Sequence, residues 1–180
     1  MSERSPDPRS LDVMAFCRHD GRLRGDGPLS AMPRLAAGVQ ALLPGAQASW
    51  SAQGSLRPVT GGPAEVWLHL QGRAEVRLEC QRCLQSMTQA LEVDRRFRFV
   101  RHEAEAAALD EHSEDDVLAL PQRLDLHELL EDELILALPI VPRHEVCPQA
   151  LPRAIEPEAE PAPNPFAALA ALRGRMPRGG

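Results

Sequence analysis

From Ser30 onward the apolar residues Met32, Leu35, Ala36, Val39, Leu42 and Leu43 recur at helical spacing. Ser30 stands where a capping side chain is wanted and Pro44-Gly45 ends the run, so the pattern predicts a short amphipathic helix with one face on a core. The period then changes to two. After small and polar residues around Trp50, Val66, Leu68 and Leu70 alternate with Trp67, His69 and Gln71 up to Gly72, which reads as a bulge or turn. Beyond it Ala74, Val76, Leu78 and Cys80 share one face and Glu75, Arg77 and Glu79 the other, which makes two half-buried strands. A third begins near Thr88 and turns Leu91, Val93, Phe97 and Phe99 inward, with Arg95 breaking the alternation.

The strongest helical signal follows Asp125, which forms a capping-box pattern with Glu128. Leu126, Leu129, Leu130, Leu134, Ala137 and Leu138 make an apolar stripe that runs to Pro139, and Glu128, Glu131 and Asp132 fall outside it, where solvent is their expected surrounding. Other stretches carry little apolar pattern. Residues 1–12 are polar with two prolines and read as loose; residues 102–124 are acidic and alanine-rich and read as a mobile loop with at most a turn of helix. Residues 152–163 alternate proline and glutamate, the composition of an extended tether. A last short helix is predicted over 164–174, with Asn164 as cap, Pro165 in the first turn and Gly174 as stop. Phe166, Leu169 and Leu172 line one side of it and suit a partner's groove, since so short a helix is marginal alone in water. The alternative is that it folds back on its own domain. The organisation predicted is one α+β domain over 13–151, a mainly antiparallel β-sheet or partly closed barrel with a few amphipathic helices.

Composition narrows the class. No apolar run approaches the roughly 20 residues that span a bilayer, and Met1 to Asp7 open with mixed charge and a proline, unlike a secretory signal, so a cytoplasmic location without membrane contact is expected. The net charge of -6 hides a segregation: residues 1–101 carry 14 arginines against 10 acidic side chains, and residues 102–160 carry 3 against 16. A chain of this kind does not bind RNA indiscriminately, so any contact with RNA must be local or pass through a protein. Arg95-Arg96-Phe97-Arg98-Phe99-Val100-Arg101 is the segment where contact is expected. Alternation sends the two phenylalanines to the core, and leaves Arg96, Arg98 and Arg101 either for phosphates or for surface ion pairs with the acidic segment.

Four cysteines in a reducing compartment suggest thiols, metal or redox chemistry rather than a disulfide scaffold. Cys80-Gln81-Arg82-Cys83 has the spacing of a zinc half-site, and His144 and Cys147 supply two further ligands of suitable type. The three readings left open are a closed structural Zn2+ site, packed thiols without metal, and a thiol oxidoreductase. The last wants a helix starting at the first cysteine, and no helical pattern follows Cys83. Cys17 is expected to be a packed or half-exposed thiol. No GxSxG, HExxH or phosphate-binding glycine loop is present, and nothing in the sequence points to an enzyme or a small-molecule substrate.

Three motifs taken in order carry a resemblance: Leu78-Glu79-Cys80-Gln81-Arg82-Cys83-Leu84, the stretch from Asp125 through Glu131-Asp132-Glu133-Leu134 to Pro142-Arg143-His144, and Asn164-Pro165-Phe166-Ala167-Ala168-Leu169. Together they resemble the YceD family of large ribosomal RNA subunit accumulation proteins over roughly residues 60–175. The resemblance implies a non-enzymatic factor that supports synthesis, processing or stability of 23S rRNA. Its implied partner is 23S rRNA or a pre-large-subunit particle, a ribosomal protein or an RNA-processing factor. A zinc-stapled adaptor that binds protein alone is the other binding reading.

Overall fold

The computed structural model describes residues 6–148. Its centre is a long antiparallel hairpin, because the alternation seen on either side of Gly72 belongs to a single strand. β3 (Glu65–Glu79) and β4 (Ser86–Val100) pair over their whole length, from Val66 opposite Phe99 to Glu79 opposite Ser86. β2 (Gln47–Arg57) pairs antiparallel with β3, and β1 (Arg22–Pro28) with β2. β5 (Asp116–Ala119) adds to β4 in parallel, completing a five-stranded sheet in the order of the chain. The sheet is open, so the fold is α+β with a mainly antiparallel sheet and not a partly closed barrel.

Gly72 is neither bulge nor turn. It keeps its place in the β3–β4 register opposite Val93, and a side chain there would drive its Cβ into Leu130 Cδ1. The glycine is thus the seat of α4 (Leu126–Leu136), the helix predicted from Asp125. That cap forms: the Asp125 carboxylate accepts from the backbone N–H of His127 and of Glu128. Leu126, Leu130 and Leu134 are buried against Leu68, Leu70, Val93 and Phe97 on the covered face of the sheet. Each fully buried leucine contributes roughly 1.5–3 kcal/mol.

α1 (Val13–Arg18), which the sequence pattern does not announce, closes the other side of the same face. Phe16 lies against two glycines, Gly21 and Gly54, where any Cβ would collide with its ring. The chain just before it is not loose: Leu11 is 1% exposed and pairs with Leu124.

Two further expectations are corrected. The acidic stretch after Arg101 is no structureless loop, because it forms α3 (Glu103–Asp110) and then β5. Ala106, Val100 and Val117 pack together beneath it, so small alanines suffice where the helix lies close to the sheet. The helix predicted over 30–43 shrinks to a 3-10 turn (Leu29–Ala31) and α2 (Pro33–Gly38). Ser30 does not cap it. The N–H groups of Arg34 and Leu35 are instead satisfied by Glu131 Oε1 of α4, at 2.6 and 3.1 Å. Glu131 is therefore buried, not solvated, and its other oxygen pairs with the Arg34 guanidinium at 3.2 Å. Among the described residues no helix is long and apolar enough to cross a membrane. The tether 152–163 and the helix 164–174, with Phe166, Leu169 and Leu172, lie outside the described residues.

Candidate metal centre and arginine surface

The tip of the β3–β4 hairpin is built by Cys80-Gln81-Arg82-Cys83. Cys80 donates its N–H to the Gln85 carbonyl and accepts, through its own carbonyl, from Leu84 N–H, which closes a tight turn. Leu84 takes φ +58, the left-handed conformation that lets the chain double back into β4. No helix follows Cys83.

The segment after α4 returns to this turn. Gln81 N–H donates to the Pro142 carbonyl at 2.9 Å, which brings His144 and Cys147 over the two cysteines. One ligand atom from each of Cys80, Cys83, His144 and Cys147 lies within 4.8 Å of all the others. The Sγ atoms of Cys80 and Cys147 are 3.8 Å apart, and Cys83 Sγ is 3.4 Å from His144 Nδ1. Ligands at the usual zinc distances, about 2.3 Å for sulfur and about 2.0 Å for imidazole nitrogen, would mark tetrahedron edges of about 3.8 Å and about 3.5 Å. The four side chains so placed could hold one metal ion.

The electrostatics of the cluster favour a cation. Burial works against the Cys80 thiolate, yet the backbone N–H groups of His144, Arg82 and Cys83 directed at its sulfur outweigh this and hold the thiol down at about 5. Cys83 is pushed the other way by burial and by the neighbouring sulfurs of Cys147 and Cys80. Arg82 braces the set: its Nε donates to Cys147 Sγ at 3.0 Å and its Nη2 to the carbonyls of His144 and Glu145. Sequence reasoning named the four residues of the cluster and missed Arg82, although it stands between the two cysteines. Cys17 takes no part. Its thiol donates to the Trp67 carbonyl at 3.2 Å, and burial pushes it up to about 11.

The arginines singled out in β4 do not act alike. Phe97 and Phe99 are buried, as alternation requires. On the opposite face Arg98 pairs with Glu65 at 2.9 Å and Arg96 is exposed, while Arg101 lies exposed just past the strand; neither Arg96 nor Arg101 forms an ion pair among the described residues. The contact with the acidic segment is made by Arg95, whose Nη2 reaches Asp116 Oδ2 at 2.7 Å and whose Nε lies 3.3 Å from Glu133 Oε2.

The profile of the family described as Large ribosomal RNA subunit accumulation protein YceD matches residues 68–173, a span that holds all four cluster ligands. A protein of Haemophilus influenzae named Large ribosomal RNA subunit accumulation protein YceD is 40% identical over 105 residues, covering 55% of this chain and 60% of that protein's length. No solved structure matches. Since the profile covers more than half of the sequence, the chain belongs to the YceD family.

Proposed function

We propose that this protein supports the accumulation of large-subunit ribosomal RNA in the cytoplasm by binding, as a non-enzymatic factor in the synthesis, processing or stability of 23S rRNA. The observation that carries the reading is the family match over residues 68–173, which includes both the cysteine hairpin and the segment that returns to it. The cluster supports binding over catalysis. Three cysteines and a histidine would fill the four positions of a tetrahedral ion, and a site closed in this way would offer no position to a substrate. A Zn2+ there, when bound, would tie the hairpin tip to the segment after α4 as a structural staple.

Arg96, Arg98 and Arg101 are assigned to RNA phosphates, and Phe166, Leu169 and Leu172 to a docking helix for a partner. That partner is the 23S rRNA or its precursor particle, a ribosomal protein or a processing factor. The test is genetic and biochemical. Deleting the gene is expected to lower mature 23S rRNA relative to 16S rRNA, with recovery on return of the intact chain. An unchanged ratio under several growth conditions overturns the reading.

A further inference from the structure

The face of the sheet opposite α4 is sorted by charge along the strands. Register places Asp26, Ser49, Arg73 and Glu92 in one row across β1 to β4, and Arg24, Ser51, Gln71 and Asp94 in the next. Then come Arg22, Gln53, His69 and Arg96, then Ser55, Trp67 and Arg98, and finally Arg57 opposite Glu65. In the first two rows arginines and carboxylates offset one another. In the last three, and at Arg101 just past the strand, five arginines share Glu65 as the one carboxylate on β1 to β4; Glu105 of α3 lies near Arg98 and Arg101, and the acidic residues 114–116 lie near Arg96 at the β5 edge.

The Glu65 carboxylate is already engaged, by Arg98 Nη2 at 2.9 Å and by the indole N–H of Trp67 at 2.9 Å. Asp94, in the neighbouring row, is held by His69 at 2.6 Å and by Gln71 at 3.0 Å. Arg22, Arg57, Arg96 and Arg101 therefore form no ion pair among the described residues, in a protein whose net charge is -6. Four unpaired cations at one end of an acidic protein are a local exception to its general repulsion of polyanions.

The same end carries a stacking surface. Trp67 is on this polar face yet 7% exposed, because the Arg57 guanidinium lies over its ring at 4.0 Å from the centroid. A guanidinium backed by an indole is a rigid, flat and cationic plane whose outer side is open to a second flat group. Unpaired bases stack on such planes, whereas bases inside a duplex are already stacked on one another. Gln53, Ser55 and His69, between the arginines, offer hydrogen bonds to base edges or ribose hydroxyls.

We propose that this end of the open face binds single-stranded RNA, with Arg22, Arg96, Arg98 and Arg101 on phosphates and one unpaired base on the Arg57 guanidinium. The inference rests on the RNA-binding reading above and specifies the form of RNA and the added residues Arg22, Arg57 and Trp67.

Fluorescence anisotropy of the full chain with a labelled 12-nucleotide RNA of mixed sequence, and with the same RNA annealed to its complement, tests it. The single strand is expected to bind at least about 10-fold more tightly than the duplex. The double variant R22E/R96E, both exposed positions that leave the core untouched, is expected to lose about 10-fold or more and to flatten the salt dependence by about 1.4 in log–log slope. R57Q is expected to lose about 5-fold.

The control R73E/R77E makes the same change of charge at the opposite end of β3 and is expected to bind nearly as the unaltered chain does. Equal losses in the two double variants, equal binding of duplex and single strand, or no binding by the unaltered chain each overturn the proposal. So does an R22E/R96E chain that binds RNA normally but no longer co-sediments with large-subunit precursor particles, since that result makes the surface a protein contact. The 23S to 16S ratio of a strain carrying R22E/R96E, set beside that of the deletion, separates failure of this site from failure of the functional reading.

Discussion

The two ends of the β3–β4 hairpin are held by different physics. The end that begins at Val66 and Phe99 lies under α4, and its side chains meet a continuous apolar face: Leu130 on Gly72, with Leu126 and Leu134 beside Leu68, Leu70 and Phe97. The outer strands still pack Ala74, Val76, Leu78 and Leu91 into the same core, but the cysteine turn at their end is met by an irregular segment that sends few apolar groups inward. In that segment Ile140 is 99% exposed and Val146 84%, and Val141 is also exposed. What attaches that segment is a small number of directed contacts: Gln81 to the Pro142 carbonyl, Arg82 to two further carbonyls, and the three sulfurs with His144. A helix can spread its attachment over many weak contacts, whereas an irregular strap depends on a few strong ones.

The largest effect is expected where burial is spread widest. Leu130→Ala leaves a cavity above Gly72 that the rigid sheet cannot close, and should cost about 2–5 kcal/mol of global stability in urea or thermal unfolding. The metal content of the folded variant should be unchanged. A loss below about 1 kcal/mol would place the weight of the fold outside the α4 end and break the comparison.

A smaller and more local effect is expected at the hairpin tip. The purified chain should hold about one zinc ion through Cys80, Cys83, His144 and Cys147, and Cys80→Ser should release it. Zinc at 100 times its dissociation constant adds about 2.7 kcal/mol, so chelation should lower stability by an amount of that order. Amide exchange should rise in residues 80–86 and 140–147 while the strands under α4 stay protected. A chain that binds no metal, or one that exchanges uniformly on chelation, would contradict the division between the packed strands and the tip.

How much of this was legible depended on how far apart the partners stand in the chain. The Asp125 cap is local, two and three residues from the N–H groups it serves, and could be read directly. The Glu131 cap on α2 joins residues 96 and 97 positions apart, so its carboxylate looked like part of a solvated helix face. Gly72 misled for the same reason, since the side chain that needs its space belongs to a distant helix. The four side chains of the cluster were legible because cysteine and histidine at these spacings have few other uses; Arg82 was not, because an exposed arginine has many. α3 was missed because alanines that pack close to a sheet carry almost no hydrophobic signal.

The smallest predicted effect concerns a charged pair between β4 and α4 on the covered face. Arg95 interrupts the inward alternation of β4 opposite Leu70, and α4 answers it with Glu133, whose side chain is 9% exposed. Burial raises the Glu133 carboxyl above its ordinary value; Arg95 opposes this, and Asp116 and Asp132 add to it. A carboxyl raised in the folded state is neutral in both states below the unfolded pKa of about 4.3. As the pH climbs through the folded value the native state must ionise a group that the unfolded chain ionises more easily, so this contribution to stability is lost with rising pH. Glu133→Gln removes that loss together with the attraction to Arg95. Urea unfolding of both chains from about pH 4 to about pH 7 should therefore show the difference between them moving in favour of the Glu133→Gln variant as the pH rises, and comparison at each pH cancels the acid sensitivity of the metal site. The opposite trend would mean that the ion pair with Arg95 outweighs its burial, and that charge as well as apolar packing secures the end beneath α4.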